Sequence, residues 1–129
     1  MEKIKIALCD DQVLDRVIIK LYLEMFFSEK GVETEIVEFS SGTELLEADL
    51  ASFSVAFLDI YMDSMTGIEA AQRILAVNKD IKIMFCSSSP EFSQEFLDMG
   101  AFGYFIKPIS PDKLSSSMNR LYDEIKGDK

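Results

Sequence analysis

Residues 54–60 read Ser54-Val55-Ala56-Phe57-Leu58-Asp59-Ile60, four consecutive apolar residues that run into a single acid. A strand with one face in water alternates apolar and polar residues, whereas a strand covered on both faces is apolar throughout. Val55 to Leu58 follows the second pattern, which predicts an inner strand of a parallel sheet with helices on either side.

Similar apolar runs occupy residues 3–9, 33–39, 81–86 and 102–106, and segments with a helical period lie between them. The first segment carries Val13, Val17, Ile18, Leu21 and Met25, a stripe that predicts the core-facing side of a helix ending near Gly31. The second, residues 41–48, has an N-cap at Ser40 or Ser41 and Glu44 three residues after Ser41, the spacing of a capping box. A third helix is predicted from about Thr66 to Asn78, with Ile68, Ala71, Ile74 and Leu75 inward. The fourth starts near Pro90, a residue tolerated in the first helical turn, and stops at Gly100. Leu114, Met118, Leu121 and Ile125 line the fifth. Five alternations of strand and helix predict an α/β domain whose parallel sheet is covered on both sides. No repeat, low-complexity tract or linker interrupts the pattern, so residues 1–129 are expected to form one domain, with Gly127-Asp128-Lys129 fraying.

Hydrophobic residues make up 48% of the chain and charged ones 28%, the balance of a folded globular protein and not of a disordered one. The net charge of −10 repels nucleic acid and anionic lipid, so direct binding to either is not expected. Cys9 and Cys86 each end an apolar run; without a His or a CxxC pair, core packing suits them better than redox or metal chemistry. The opening stretch MEKIKIALCDD has its apolar segment cut short by acids, which predicts neither a secretion signal nor a membrane span, and makes a cytoplasmic location the expected one.

Ligands of an open parallel sheet bind beyond the carboxyl ends of its strands. That edge collects Asp10 and Asp11 after the first strand, Asp59 at the end of the third, Ser87 and Ser88 after the fourth, and Lys107 after the fifth. Three carboxylates in one cleft repel one another; at about 4 Å and an effective dielectric of about 20, each pair costs about 4 kcal/mol. Lys107 supplies one positive charge, and a divalent cation would supply two more. Oxygen donors without His or paired thiolates suit Mg²⁺. Each acid taken singly also fits a helix N-cap or a solvated loop. Asp59, Ser87 and Lys107 reaching the same edge favour a site.

With these residues in place, nearly the whole chain resembles the receiver domains of bacterial two-component response regulators, the CheY-like fold. The acidic pair Asp10-Asp11 is similar to the family's metal-binding acids. The segment from Leu58 to Gly67 resembles its phosphoacceptor stretch, with Met62 three and Gly67 eight residues after Asp59. Ser87 stands at the family's switch Ser/Thr, Tyr104 at its mobile aromatic, and Lys107-Pro108 at its Lys-Pro pair. The resemblance implies a flavodoxin-like three-layer sandwich, with a five-stranded parallel sheet in the order 2-1-3-4-5 and five helices on its two faces.

In function, it implies phosphoryl transfer from a sensor histidine kinase to Asp59. Asp11 would bind Mg²⁺ directly, Asp10 mainly through water, and the backbone carbonyl of Tyr61 would complete the protein ligands. Lys107 would add a point charge. Ser87 would bond a phosphoryl oxygen, Tyr104 would fill the space vacated, and the surface of helix four, strand five and helix five would change for an output domain or protein. That surface would include Phe92, Phe96, Phe102 and Ile109. The chain would then be no enzyme beyond its own phosphotransfer and autodephosphorylation, and a phosphorylation-dependent homodimer is left open. A cis Lys107-Pro108 bond is also implied.

Bland alternatives stand beside several of these assignments. Phe92 and Phe96, four residues apart, suit a core as well as an interface. Tyr104 also fits a strand aromatic with its hydroxyl in water, and Lys107-Pro108 an ordinary turn. The sequence departs from the family pattern at Asp63, where many receivers have Pro, at the bulky Tyr61, and at Ser88, where many have Ala or Gly. Tyr61 and Ser88 are therefore candidates for tuning water access to the acyl phosphate. ALCDD (residues 7–11) and GAFGYFIKPI (residues 100–109) resemble receivers from regulators with a LytTR-type DNA-binding domain. A degenerate receiver that docks without phosphorylation is the first rival. A haloacid-dehalogenase-type phosphatase would need an acid where Tyr61 stands, and a flavodoxin-like FMN carrier would find Asp10-Asp11 repelling its phosphate.

Overall fold

The structure, a computed structural model, describes residues 3–62, 65–91 and 93–127. Among these, strands β1 (Ile4–Cys9), β2 (Thr34–Phe39), β3 (Val55–Asp59), β4 (Lys82–Ser87) and β5 (Gly103–Ile106) alternate with helices. The helices are α1 (Val13–Glu29), α2 (Gly42–Leu46), α3 (Gly67–Val77), α4 (Ser93–Met99) and α5 (Pro111–Gly127). The strands form one sheet in the order β2-β1-β3-β4-β5, and every neighbouring pair is parallel. This is the expected doubly wound α/β fold. No described helix is long and apolar enough to cross a membrane.

All five residues of β3 are buried, as its unbroken apolarity requires. Side chains of successive residues leave a strand on opposite faces, so the sheet builds two cores. Ala7, Cys9, Ala56, Leu58, Ile83 and Phe85 pack with Leu45 of α2 and Ile68, Ala71 and Ile74 of α3. Ile6, Leu8, Phe57, Met84 and Phe105 pack on the other face with Ile19, Leu23 and Phe27 of α1 and Leu114, Met118 and Leu121 of α5. Cys9 and Cys86 are free thiols, one in each core.

The structure corrects the sequence reading of α1. Its buried side is Ile19, Leu23 and Phe27, while Val13, Val17, Ile18, Leu21 and Met25 are exposed, together with Leu14 at 76%. The helix carries two apolar stripes, and spacing alone does not say which one meets the sheet. Helix α4 also begins later than predicted, at Ser93, because Pro90 sits in a turn whose carbonyl accepts from the Ser93 amide. It ends at Gly100, where a positive φ of 72° suits glycine.

Helix α2 is capped at Ser41, whose hydroxyl accepts from the Glu44 amide; Glu44 reaches back one residue further than a capping box requires, to the Ser40 amide. Helix α3 has the complete reciprocal box between Thr66 and Glu69. That cap sets the entry angle of α3 directly behind the acidic end of β3. Asp63, Phe92, Asp128 and Lys129 lie outside the described residues.

Candidate functional site

Parallel strands of similar register deliver their last residues to one rim. Asp10 follows β1 and Asp59 ends β3; with Asp11 they present carboxylate oxygens that all lie within 4.8 Å of one another. Ser87 ends β4 and Lys107 follows β5, which brings both to the same rim. Lys107 Nζ donates to Asp10 Oδ2 at 3.0 Å and to Asp59 Oδ1 at 3.3 Å. Its backbone amide donates to the Ser87 carbonyl at 2.8 Å, and the Lys107-Pro108 bond is cis, as the resemblance implied.

A fourth acid, which the sequence reading passed over, completes the cluster. Asp15, in the first turn of α1, accepts from Lys107 Nζ at 2.9 Å. In the sequence it reads only as an acid in the first turn of a helix that starts just after Asp10-Asp11, and that proximity was the signal available.

Lys107 bonds three of the four carboxylates and Asp11 stands beside them, leaving the cluster a formal excess of three negative charges. Burial raises the Asp59 pKa, the charge of Asp10 raises it further, and Lys107 offsets part of this, so that it stands at about 6. Burial by itself would lower the Lys107 pKa, but hydrogen bonds to Asp15 and Asp10 and the charges of Asp10 and Asp59 overcome it, and the lysine stays protonated.

The donor set fits a hard divalent cation. It is all oxygen, it is short of positive charge, and its acids differ in what they have free. Both Asp10 oxygens are engaged, Oδ1 by the Gln12 amide at 2.8 Å and Oδ2 by Lys107. The Asp11 side chain accepts no hydrogen bond among the described residues. Gly67 belongs to the same construction: its amide donates to the Ile60 carbonyl, and a Cβ there would collide with the backbone carbonyl of Asp59.

Around this centre, Ser87 is fully buried and its hydroxyl accepts from the Ser89 amide at 3.1 Å. The Tyr104 ring packs against Phe85 and Phe96, and its hydroxyl donates to the Ser89 carbonyl at 2.7 Å instead of pointing into water. Phe96 and Tyr104 are half-buried against the core, and so, on the other face, are Phe102 and Ile109. Tyr61 is exposed, and its hydroxyl donates to Glu91, linking the loop after β3 to the loop after β4. Ser88, the first residue after β4, is exposed as well. Cys9 lies beneath the rim; burial pushes its thiol up to about 12, with the neighbouring Asp10 and Asp59 adding to the effect, so it offers no thiolate near neutral pH.

Comparison with known proteins points to one family for the chain. Residues 6–119 match the response regulator receiver domain. The chain is 34% identical to a protein-glutamate methylesterase/protein-glutamine glutaminase of Clostridium acetobutylicum, over 98% of this chain and 37% of that protein. It is 26% identical to the sensory transduction protein LytR of Staphylococcus epidermidis, over 91% of this chain and 45% of that protein. The chain therefore spans less than half of either relative. Among solved structures, the chemotaxis protein CheY4 of Vibrio cholerae superposes with a TM-score of 0.69 at 28% identity, covering 92% of this chain and 98% of that one.

Proposed function

The chain belongs to the response regulator receiver domain family, and we propose that it takes a phosphoryl group on Asp59 from a sensor histidine kinase and relays the change to an output domain or protein. The observation that carries this is the meeting of Asp10, Asp11 and Asp59 within 4.8 Å, with Lys107 Nζ donating into the group.

In the transfer, an Asp59 carboxylate oxygen attacks phosphorus and forms an acyl phosphate as the phosphorus–nitrogen bond of the donor histidine breaks. Phosphoryl transfer asks little covalent chemistry of the protein, so positioning and charge do most of the work. Asp11 and Asp59 would hold Mg²⁺ with the Tyr61 carbonyl, and Asp10 would hold it through water. When bound, the ion neutralises the acids and the phosphoryl oxygens. Lys107 contributes a compact charge from the other side. Ser87 donates its hydroxyl to a phosphoryl oxygen, drawing the Ser89 carbonyl with it and loosening the Tyr104 hydroxyl that bonds there. Movement of Tyr104 then alters the α4–β5–α5 surface, where Phe96, Phe102 and Ile109 lie. The energy comes from contacts that exist only with the phosphoryl group.

The exposed stripe of α1 begins beside Asp10 and Asp11, and an apolar patch of that kind gives a phosphodonor protein something to grip. Tyr61 and Ser88 stand where water would approach the acyl phosphate, and replacing each with Ala is expected to change the dephosphorylation rate. No activity beyond self-phosphorylation and autodephosphorylation is assigned to this chain, residues 1–129 acting as one receiver unit in the cytoplasm. Similarity to LytR supports a LytTR-type output as the partner, with any DNA contact belonging to that partner. The test is addition of Mg²⁺ and beryllofluoride, an acyl-phosphate mimic, followed by NMR of the Ser87 and Tyr104 amides. These signals should shift in the native protein and not in Asp59→Asn; equal responses would refute the assignment.

A further inference from the structure

Lys107 has three N–H groups to give, and all three are taken. The closest acceptor is Asp15 Oδ2 at 2.9 Å, then Asp10 Oδ2 at 3.0 Å, then Asp59 Oδ1 at 3.3 Å. The three acids differ in exposure. The side chains of Asp10 and Asp59 are 1% and 6% exposed, that of Asp15 is 34% exposed, and Asp15 alone belongs to a helix. The ammonium is therefore strung between two inner carboxylates and one outer one, and it sits nearer the outer one than it does to Asp59.

A phosphoryl group on Asp59 brings three strong acceptor oxygens and would draw on more than the one long N–H bond that Asp59 already accepts. Asp10 is poorly placed to release an N–H group: the residue is buried and its other oxygen is already held by the Gln12 amide, so the lost bond is costly to replace. Asp15 can release it, because a carboxylate open to solvent exchanges an ammonium for water at little cost.

We infer that Asp15 is a positioning residue that draws Lys107 outward in the unphosphorylated protein, leaving its bond to Asp59 the longest of the three, and yields it when phosphoryl oxygens arrive. This rests on Asp59 being the acceptor. Asp15 would thus set the threshold for activation through the lysine, without touching the phosphoryl group.

The test compares native protein, Asp15→Asn, Lys107→Met and the double variant in saturating Mg²⁺, each titrated with beryllofluoride and followed by the Ser87 and Tyr104 amide signals. Asp15→Asn should bind roughly two- to five-fold more tightly, the scale of one partly exposed ion pair. The gain should disappear in the Lys107→Met background, since no lysine is left to release. A double-mutant cycle of this kind separates the lysine-mediated effect from simple repulsion of an anion by Asp15, which would survive the loss of Lys107. The Lys107 Cε resonance gives an independent readout: in free Asp15→Asn it should already lie part of the way toward its beryllofluoride-bound position. Unchanged or weaker binding in Asp15→Asn, an equal gain in both backgrounds, or an unmoved Cε resonance would overturn the inference while leaving the acceptor assignment intact. No response in the native protein would sink both, and is told apart by the first titration.

Discussion

Replacing Asp59 with Asn should make the metal-free protein more stable at neutral pH. Asp59 binds its proton more tightly in the folded chain than in the unfolded one, where its pKa is 3.8; in the fold it is about 6, raised by burial and then by Asp10 against the pull of Lys107. Between those two values the folded state holds more protons than the unfolded one, so stability falls as pH rises and the full penalty is present above pH 6. At 1.36 kcal/mol per pH unit, the gap is worth about 3 kcal/mol. The side chain is 6% exposed, so solvent screens little of it.

Asp59→Asn removes that penalty, and urea unfolding at pH 7.5 with a chelator should show up to about 3 kcal/mol of added stability at an unchanged slope. With no Trp in the chain, far-UV circular dichroism is the natural signal. At pH 3 the gain should vanish, because Asp59 is then neutral whether folded or not. Millimolar Mg²⁺ should narrow or reverse it, since an ion that binds only the native state stabilises the wild type. A variant less stable than wild type at pH 7.5 in chelator, or an advantage that persists at pH 3, would refute this account of the rim.

On the two stripes of α1, Leu23→Ala should cost about 2–5 kcal/mol as a core truncation, while Leu21→Ala, on the exposed stripe, should stay within about 0.5 kcal/mol; equal costs by urea unfolding would restore the original orientation of the helix. Gly67→Ala forces a methyl group against the Asp59 carbonyl and should destabilise by about 1–3 kcal/mol, with a displaced Asp59 and a weakened beryllofluoride response; a native-like titration would contradict the close approach. Burial pushes the Cys9 thiol up to about 12 and raises that of Cys86 as well, so at pH 8 neither should react with a thiol reagent until the protein is unfolded in urea; rapid labelling of the native protein would contradict their placement.

The sheet and the acidic rim were legible because each depends on a one-dimensional pattern. An inner strand must be apolar on both sides, and the polar residue that follows it must fall at the rim, so Asp10, Asp59, Ser87 and Lys107 could be placed before any coordinates. The orientation of α1 was not legible, since Leu14, Ile18 and Leu21 are as apolar as Ile19, Leu23 and Phe27. Only docking on the sheet chooses between two stripes of equal quality. Asp15 was hidden for a related reason: an acid in the first turn of a helix already has a sufficient local explanation in the helix dipole. Its second task depends on Lys107, 92 positions away. The late start of α4 followed from Pro90, which is as much at home in a turn as in a first helical turn.

Strand β5 is paired on one side only, with β4, and it carries Tyr104 within its four residues and Lys107 immediately beyond them. A strand in the middle of the sheet could not shift without disturbing two ladders and both interior layers; one at the margin disturbs a single ladder. Drift in the hydrophobic residues of β1 and β3 would therefore be felt in two ladders at once, whereas a change in β5 loosens a single one, and that makes β5 the place where durability and mobility have to be traded against each other.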